Sequence, residues 1–292
     1  MANPSKGKTD RNDDPKQMVR TGPAAPLAQD GSPAWLADYA GKDDPGMMEA
    51  MREYRLLPRL KMIQGLTRTE LKSKFGEGAV VLAPGDVLVV KPNEVIHFVP
   101  VFFFAEFCLW ADRKDTTSNA ILERSLDKRG NIAIRARDQN RRFEPYGEMD
   151  PKTKAPKFQK RYVEHLNFPG FIYQEGHPLS GVPVTLTFSR GEFGKGRAFV
   201  NAIMLRKIGN ANAPLWATVW ALTPGFRDRG QNKWWGIDFE NPTTVDPYIK
   251  QAEIPFFQGM HADLKALYER NAIGVAQDVD PDEEPEAPDV DL

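Results

Sequence analysis

The chain has 292 residues, 41% hydrophobic and 27% charged, enough to bury a sizeable core, which excludes fibrous, collagen-like and wholly disordered classes. Its net charge of −1 conceals an asymmetry: Asp278 to Leu292 holds eight acids and no base, leaving +7 on the remainder. The richest apolar stretch, Val95 to Trp110, contains His97, Pro100 and Glu106 and falls short of the roughly 18 uninterrupted apolar residues of a membrane span.

Residues 1–50 are rich in Pro, Gly, Asp, Lys and Ser, with Trp35, Leu36 and Tyr39 as isolated apolar points. This composition predicts a disordered leader. Lys6, Lys8 and Arg11 are followed by no apolar run, so no secretory signal is expected and the expected location is cytoplasmic. Met47 to Leu57 has a helix-compatible composition, and Pro58 disfavours the α conformation at Leu57. The folded domain is therefore expected over 51–275.

Strand signals follow. Ala79 to Leu82 and Val87 to Val90 are short apolar runs flanking Pro84-Gly85, a turn signal. Glu94 to Trp110 reads as one bent strand or two consecutive ones, broken at Pro100. A polar, basic insertion occupies about 111–161, and the strand pattern resumes at Arg161 to Gln174. In Val182 to Ser189, Val184, Leu186 and Phe188 alternate with Thr185, Thr187 and Ser189, as in a strand with one wet face. Gly196 to Ile208 carries Phe199, Ile203 and Leu205 at helical spacing and is stopped by Gly209-Asn210. Leu215 to Thr223 and Lys233 to Phe239 read as two strands around a polar loop, Pro224 to Gln231. Tyr248 to Ala272 is a final helical pattern, with Pro255 and Gly259 inside it. Six or so short strands with attached helices predict a mainly β, α+β fold: a curved antiparallel sheet or a small OB-like barrel. Residues 276–292, acidic and interrupted by Pro281, Pro285 and Pro288, are expected to be a disordered tail, which either serves only as a solubilising end or competes with an anionic ligand and docks partner proteins.

Enzyme signatures are weak. Ser189-Arg190-Gly191-Glu192-Phe193-Gly194-Lys195-Gly196 links a strand to a helix but lacks the spacing of a P-loop, leaving only weak anion binding or a flexible loop. His97, His165, His177 and His261 lie in separate elements. The single cysteine, Cys108, has no disulfide partner and no set of zinc co-ligands, so neither a metal nor another cofactor is expected. Asp238 and Glu240 share a strand face and permit a Mg²⁺-dependent nuclease only as a minor alternative.

Bases and aromatics together give a stronger signal. Arg113 to Arg161 contains fourteen bases against seven acids. Within it Arg135, Arg137, Arg141, Arg142, Lys157, Lys160 and Arg161 are candidate phosphate contacts, with Phe143, Tyr146 and Tyr162 as candidate stacking platforms for unpaired bases. Arg190, Lys195, Arg197, Arg206 and Lys207, against a lone Glu192, form a second basic cluster. Arg227, Arg229 and Lys233 beside Trp234 and Trp235 form a third, where adjacent tryptophans on a strand put one in the core and leave the other as a platform.

A basic, aromatic-interleaved β domain with a detachable acidic tail resembles the single-stranded DNA-binding proteins of bacteria and their tailed phages. Pro58-Arg59-Leu60-Lys61-Met62-Ile63-Gln64-Gly65, then Pro84-Gly85-Asp86, then Val99-Pro100-Val101-Phe102-Phe103 also resemble a tailed-phage family associated with replication and recombination genes. The resemblance implies OB-type architecture, no enzymatic activity and single-stranded DNA as partner in replication or recombination, in a bacterial host cytoplasm. It also implies that Asp278–Leu292 docks replication or recombination proteins. The tail ends Asp289-Val290-Asp291-Leu292, where the bacterial proteins end in an aromatic. The alternative is a structural or accessory virion protein.

Overall fold

The computed structural model describes residues 56–275 except 66, 68, 85–86, 113, 116–119, 231 and 241–247. The expected leader, most of the Met47 to Leu57 helix and the acidic tail lie outside the described residues. Those described are mainly β: strands β1 (Leu56–Leu57), β2 (Arg59–Met62), β3 (Val80–Ala83), β4 (Val87–Val90), β5 (Ile96–Pro100), β6 (Phe104–Trp110), β7 (Ile121–Ser125) and β8 (Phe143–Met149) lead to the long β9 (Pro156–Ile172). They continue with β10 (Pro183–Ser189), β11 (Lys207–Ile208), β12 (Ala211–Asn212), β13 (Trp220–Arg229), β14 (Asn232–Glu240) and β15 (Gly274–Val275). Four α-helices are described: α1 (Thr69–Phe75), α2 (Asn131–Arg137), α3 (Phe193–Met204) and α4 (Ile254–Glu269).

Eleven strands form one curved, open sheet in the order β14-β13-β5-β9-β10-β2-β3-β4, with β6 and β8 also paired to β9 and β7 to β6. β9 is its spine. Its first half pairs with β8 on one side and its middle with β6 on the other; further along it meets β10 and β5. β5 and β6 are the bent strand expected from 94–110, interrupted where Val101 and Phe102 both donate backbone hydrogen bonds to the Pro169 carbonyl at 2.7 and 3.1 Å. One pairing, β2 with β10, is parallel. The sheet is thus mixed, and of the two expected forms it is the curved sheet, open along β14 and β4, and not a closed OB-like barrel. The gap between β2 and β14 is clipped by one side chain. Gln64 Nε2 donates to the Trp235 carbonyl and Gln64 Oε1 accepts from the Trp235 N–H, both at 2.8 Å, as a strand residue would.

Both sheet faces are covered. On one, α3 lays Phe199, which is fully buried, among Phe168, Trp220 and Phe239 at ring-centroid distances of 4.9, 5.1 and 4.7 Å. Val184, Leu186 and Phe188 of β10 belong to this core. On the other face α4, entered through Pro255 at its first turn, packs Phe257 and Leu264 against Val99, Phe104 and Phe171. Because β10 lies between these layers, the expected wet face is buried: Thr185 is 0% exposed. The structure corrects three further expectations. The basic insertion is built of β7, α2, β8 and the start of β9. The supposed 224–231 loop is mostly strand, pairing Arg227 with Trp234 and Pro224 with Ile237, while Gly209-Asn210 turns the β11–β12 hairpin after α3 has already ended. Among the described residues, no helix is long and apolar enough to cross a membrane.

Candidate nucleic-acid interface

A cavity of about 1030 Å³ opens where α2, the middle of β9, the β10–α3 turn and the β13–β14 hairpin converge. Eight cationic side chains line it: Arg137, Arg142, Arg161, Arg190, Lys195, Arg197, Arg227 and Arg229. Only two acids, Glu164 and Glu192, do so. Three basic clusters far apart in sequence therefore meet in one place. β9 supplies Arg161 and α2 supplies Arg137, while α3 lies across the neighbouring β10 and so sets Lys195 and Arg197 opposite them.

Local packing explains the tight turn into α3. A Cβ on Gly196 would lie 2.6 Å from the Phe188 Cβ, so glycine there lets the helix sit on β10. Packing, and not a phosphate cradle, accounts for that glycine. Arg190, which starts the turn, holds φ +49°, a region uncommon for a side-chain-bearing residue.

The cavity floor is neutralised from within. Arg227 donates to Asp238 at 2.8 and 3.0 Å and to Glu192 at 3.2 Å. Lys195 donates to Asp238 at 2.7 Å, and Trp234 Nε1 donates to Glu192 at 2.9 Å. The Glu192 carboxyl occupies the space over Gly236, where a Cβ would lie 2.3 Å from it. Hydrogen bonds from Arg227 and then Lys195 overcome partial burial and hold the Asp238 carboxyl below its ordinary pKa. Asp238 is thus committed to two cations. Among the described residues no three His, Cys, Asp or Glu side chains cluster as a metal site.

The cavity rim differs. Arg197 and Arg229 are exposed and have no carboxylate partner among the described residues; Arg229 lies over the Trp234 ring at 5.9 Å. Arg137 makes a two-pronged bond to Glu164, 3.0 and 2.9 Å, which raises its pKa further. Arg142 donates to the Ala136 carbonyl at 3.3 Å.

The other sequence-derived candidates are distributed around this cavity. Tyr162 lines it but is 4% exposed, with its hydroxyl donating to Glu144 at 2.6 Å and accepting from Arg135 at 3.0 Å. Burial first, then the Glu144 hydrogen bond, push its phenol pKa up; Arg135 is also ion-paired to Glu144. Phe143 is 41% exposed, with Arg161 over its ring at 5.3 Å. Tyr146 donates to Asp115 at 2.8 Å beneath Lys160 at 5.3 Å. Lys157 pairs with Glu148 at 3.1 Å and Arg141 with Asp138 at 3.7 Å, both away from the cavity lining. Trp234 is 5% exposed and serves the core. Trp235, on the opposite side of β14, packs its ring against Gly78, where a Cβ would clash at 2.6 Å, and meets Phe226 at 5.3 Å.

Of the rings expected as platforms, Phe143 is exposed, with Arg161 over its ring, while Tyr162 and Trp234 are buried. Phe226, half exposed, was missed because 224–231 reads as a loop. Reading it as a strand puts Arg227 and Arg229 on one side and Phe226 on the other by alternation alone.

A model of the Pam3 phage gp34-like protein family matches residues 25–271. No curated protein and no solved structure matches the chain.

Proposed function

For a chain that belongs to the Pam3 phage gp34-like protein family, we propose sequence-tolerant binding of single-stranded DNA, in phage DNA replication or recombination, as its function. The observation that supports this reading is the convergence of eight cations and two acids on one cavity. Among the described residues, Arg197 and Arg229 at its rim have no carboxylate partner to compete with a phosphate. Phe143, partly exposed with Arg161 over its ring, adds a candidate stacking position for an unpaired base next to a cation. Lys195 and Arg227, engaged with Asp238 and Glu192, shape the floor and contribute field more than direct contacts. In this reading Asp278–Leu292 imitates the nucleic-acid backbone and competes for the same cations, and also docks replication or recombination proteins.

The test is fluorescence anisotropy with labelled oligo-dT, an equal-length duplex and increasing NaCl. Oligo-dT should bind in preference to duplex, with log K falling by about 0.7 per neutralised phosphate for each unit of log salt. Arg197→Glu and Arg229→Glu should each weaken binding by tenfold or more. A protein that ignores oligo-dT at low salt and instead assembles into large particles would be a virion component, and the DNA-binding reading would fall. Adding Mg²⁺ to the same samples and looking for shortened DNA tests the nuclease alternative.

A further inference from the structure

The cavity of about 1030 Å³ joins its cations to an apolar wall. α3 lines it with Phe193, Arg197 and Val200. Their spacing of four and then three residues puts all three on one stripe of the helix, apart from the side that buries Phe199. β9 lines it with Tyr162, Glu164 and Leu166, alternate residues of a strand and so a single row. Phe103, between β5 and β6, also lines it. Phe103, Phe193 and Val200 are partly exposed, and each packs against the buried core. The Phe103 ring stands 4.9 Å from that of the buried Phe168.

Apolar surface inside a cavity favours a ligand that covers it. A purely anionic ligand would reach the cations and leave this wall wet, whereas a flat ring joined to an anion would cover the wall and meet the cations together. A nucleotide has both parts. Phe193 and Arg197, one helical turn apart, are neighbours separated by about 5–6 Å at Cβ, a span that a base and its own phosphate can bridge. The volume lies at the upper end of the roughly 300–1,000 Å³ of small-molecule sites, enough for one nucleotide. Both acids of the lining are already engaged, Glu164 with Arg137 at 3.0 and 2.9 Å and Glu192 with Arg227 and Trp234. A duplex keeps its bases paired and brings only phosphates to the rim. Extruding a base from it costs pairing and stacking, a cost that an unpaired strand largely escapes.

We propose that this cavity takes in a nucleobase, against Phe103, Phe193 and Val200, with the phosphate of the same nucleotide on Arg197. The nucleotide has two sources: a residue of an unpaired DNA strand, or a free nucleotide. The strand as source rests on the DNA-binding reading, and gives that reading a physical reason for preferring unpaired DNA to duplex. The fit of the cavity to a nucleotide does not rest on it.

The experiment titrates the full-length protein by calorimetry with dAMP and with inorganic phosphate, which brings the charge without the ring. Saturable dAMP binding at least tenfold tighter than that of phosphate is the expected result. In Phe103→Leu and Phe193→Ala that preference should shrink to threefold or less, and Val200→Trp, which fills the cavity, should abolish dAMP binding. Arg197→Glu should weaken both ligands alike and keep their ratio. In the wild-type protein, NOEs should connect the adenine protons to Phe193 and Val200, a measurement that needs no variant to fold. Binding of dAMP no tighter than that of phosphate, a bound complex without those NOEs, or a preference that survives in a folded Phe193→Ala would overturn the proposal. Labelled oligo-dT separates the sources. Its displacement by saturating dAMP assigns the cavity to a nucleotide of the strand, and oligo-dT binding that dAMP leaves intact assigns it to a free nucleotide. If oligo-dT binds in preference to duplex while dAMP gains nothing over phosphate, this proposal falls and the DNA reading stands. If dAMP binds as expected and oligo-dT does not, the DNA reading falls alone.

Discussion

At the residue scale, single side chains here settle more than one matter each. Glu192 satisfies Arg227 and the Trp234 indole at once and fills the space that Gly236 leaves. Glu192→Gln removes the charge that Arg227 faces, and should lower unfolding free energy by about 1–3 kcal/mol, read as a reduced urea midpoint. His165 makes stability depend on pH. Burial first, and nearby arginines second, depress its pKa to about 3, whereas in the unfolded chain it titrates near 6.5. Between those values the unfolded state binds more protons, so stability should be full above about pH 6.5 and decline as pH falls toward 3, by a few kcal/mol at most. Glu106 has the opposite sign: its raised folded pKa means stability is lost as pH rises from the ordinary carboxyl range through the raised value. Thermal melts across pH 4–7 should show the histidine slope in the wild-type protein and a flatter one in His165→Gln.

Among the elements, α3 shows what its own periodicity revealed and what tertiary contact alone could reveal. The spacing of Phe199 and Ile203 identified the helix, because a 3.6-residue period is a local property, but not its ends or all of its buried side: Leu205, expected on that side, lies beyond α3 and is 77% exposed. Phe199→Ala should cost about 3–5 kcal/mol, since the ring sits among three others; the check is a denaturant melt of the variant. Strand β10 was recognised by its period of two, yet its threonines were assigned to solvent. Alternation reports that two faces differ, and cannot report that the second is covered by other chain segments. β13 was lost beyond Thr223 because Pro224, Gly225 and a run of charges resemble a loop. Pairing with β14 makes it a strand, and with it the positions of Arg227 and Arg229 become regular. The basic residues of the cavity were visible as three clusters; their meeting was not, since it depends on how β9, α3 and the β13–β14 hairpin are assembled.

For the whole molecule, the division of charge is the dominant property. A body at +7 and a tail at −8 attract each other at low ionic strength, and the attraction weakens as the Debye length contracts to about 8 Å at physiological salt. Deleting 277–292 should therefore tighten oligo-dT binding several-fold in dilute salt and change it little at high salt. Equal affinities at every salt concentration would show that the tail does not act as a competitor.

The 17-residue strand β9 touches partners along both edges and presents one side to α3 and the other, which carries the polar His165 and Asn167, toward α4. Losing or gaining a single residue inside it would exchange those two sides over everything downstream of the change, driving Leu166 and Phe168 into the polar layer and His165 and Asn167 into the aromatic one. Length variation among members of the family should consequently be absent from 156–172 and gather in the turns on either side, at 150–155 and 174–182, a pattern that aligning their sequences would reveal or refute.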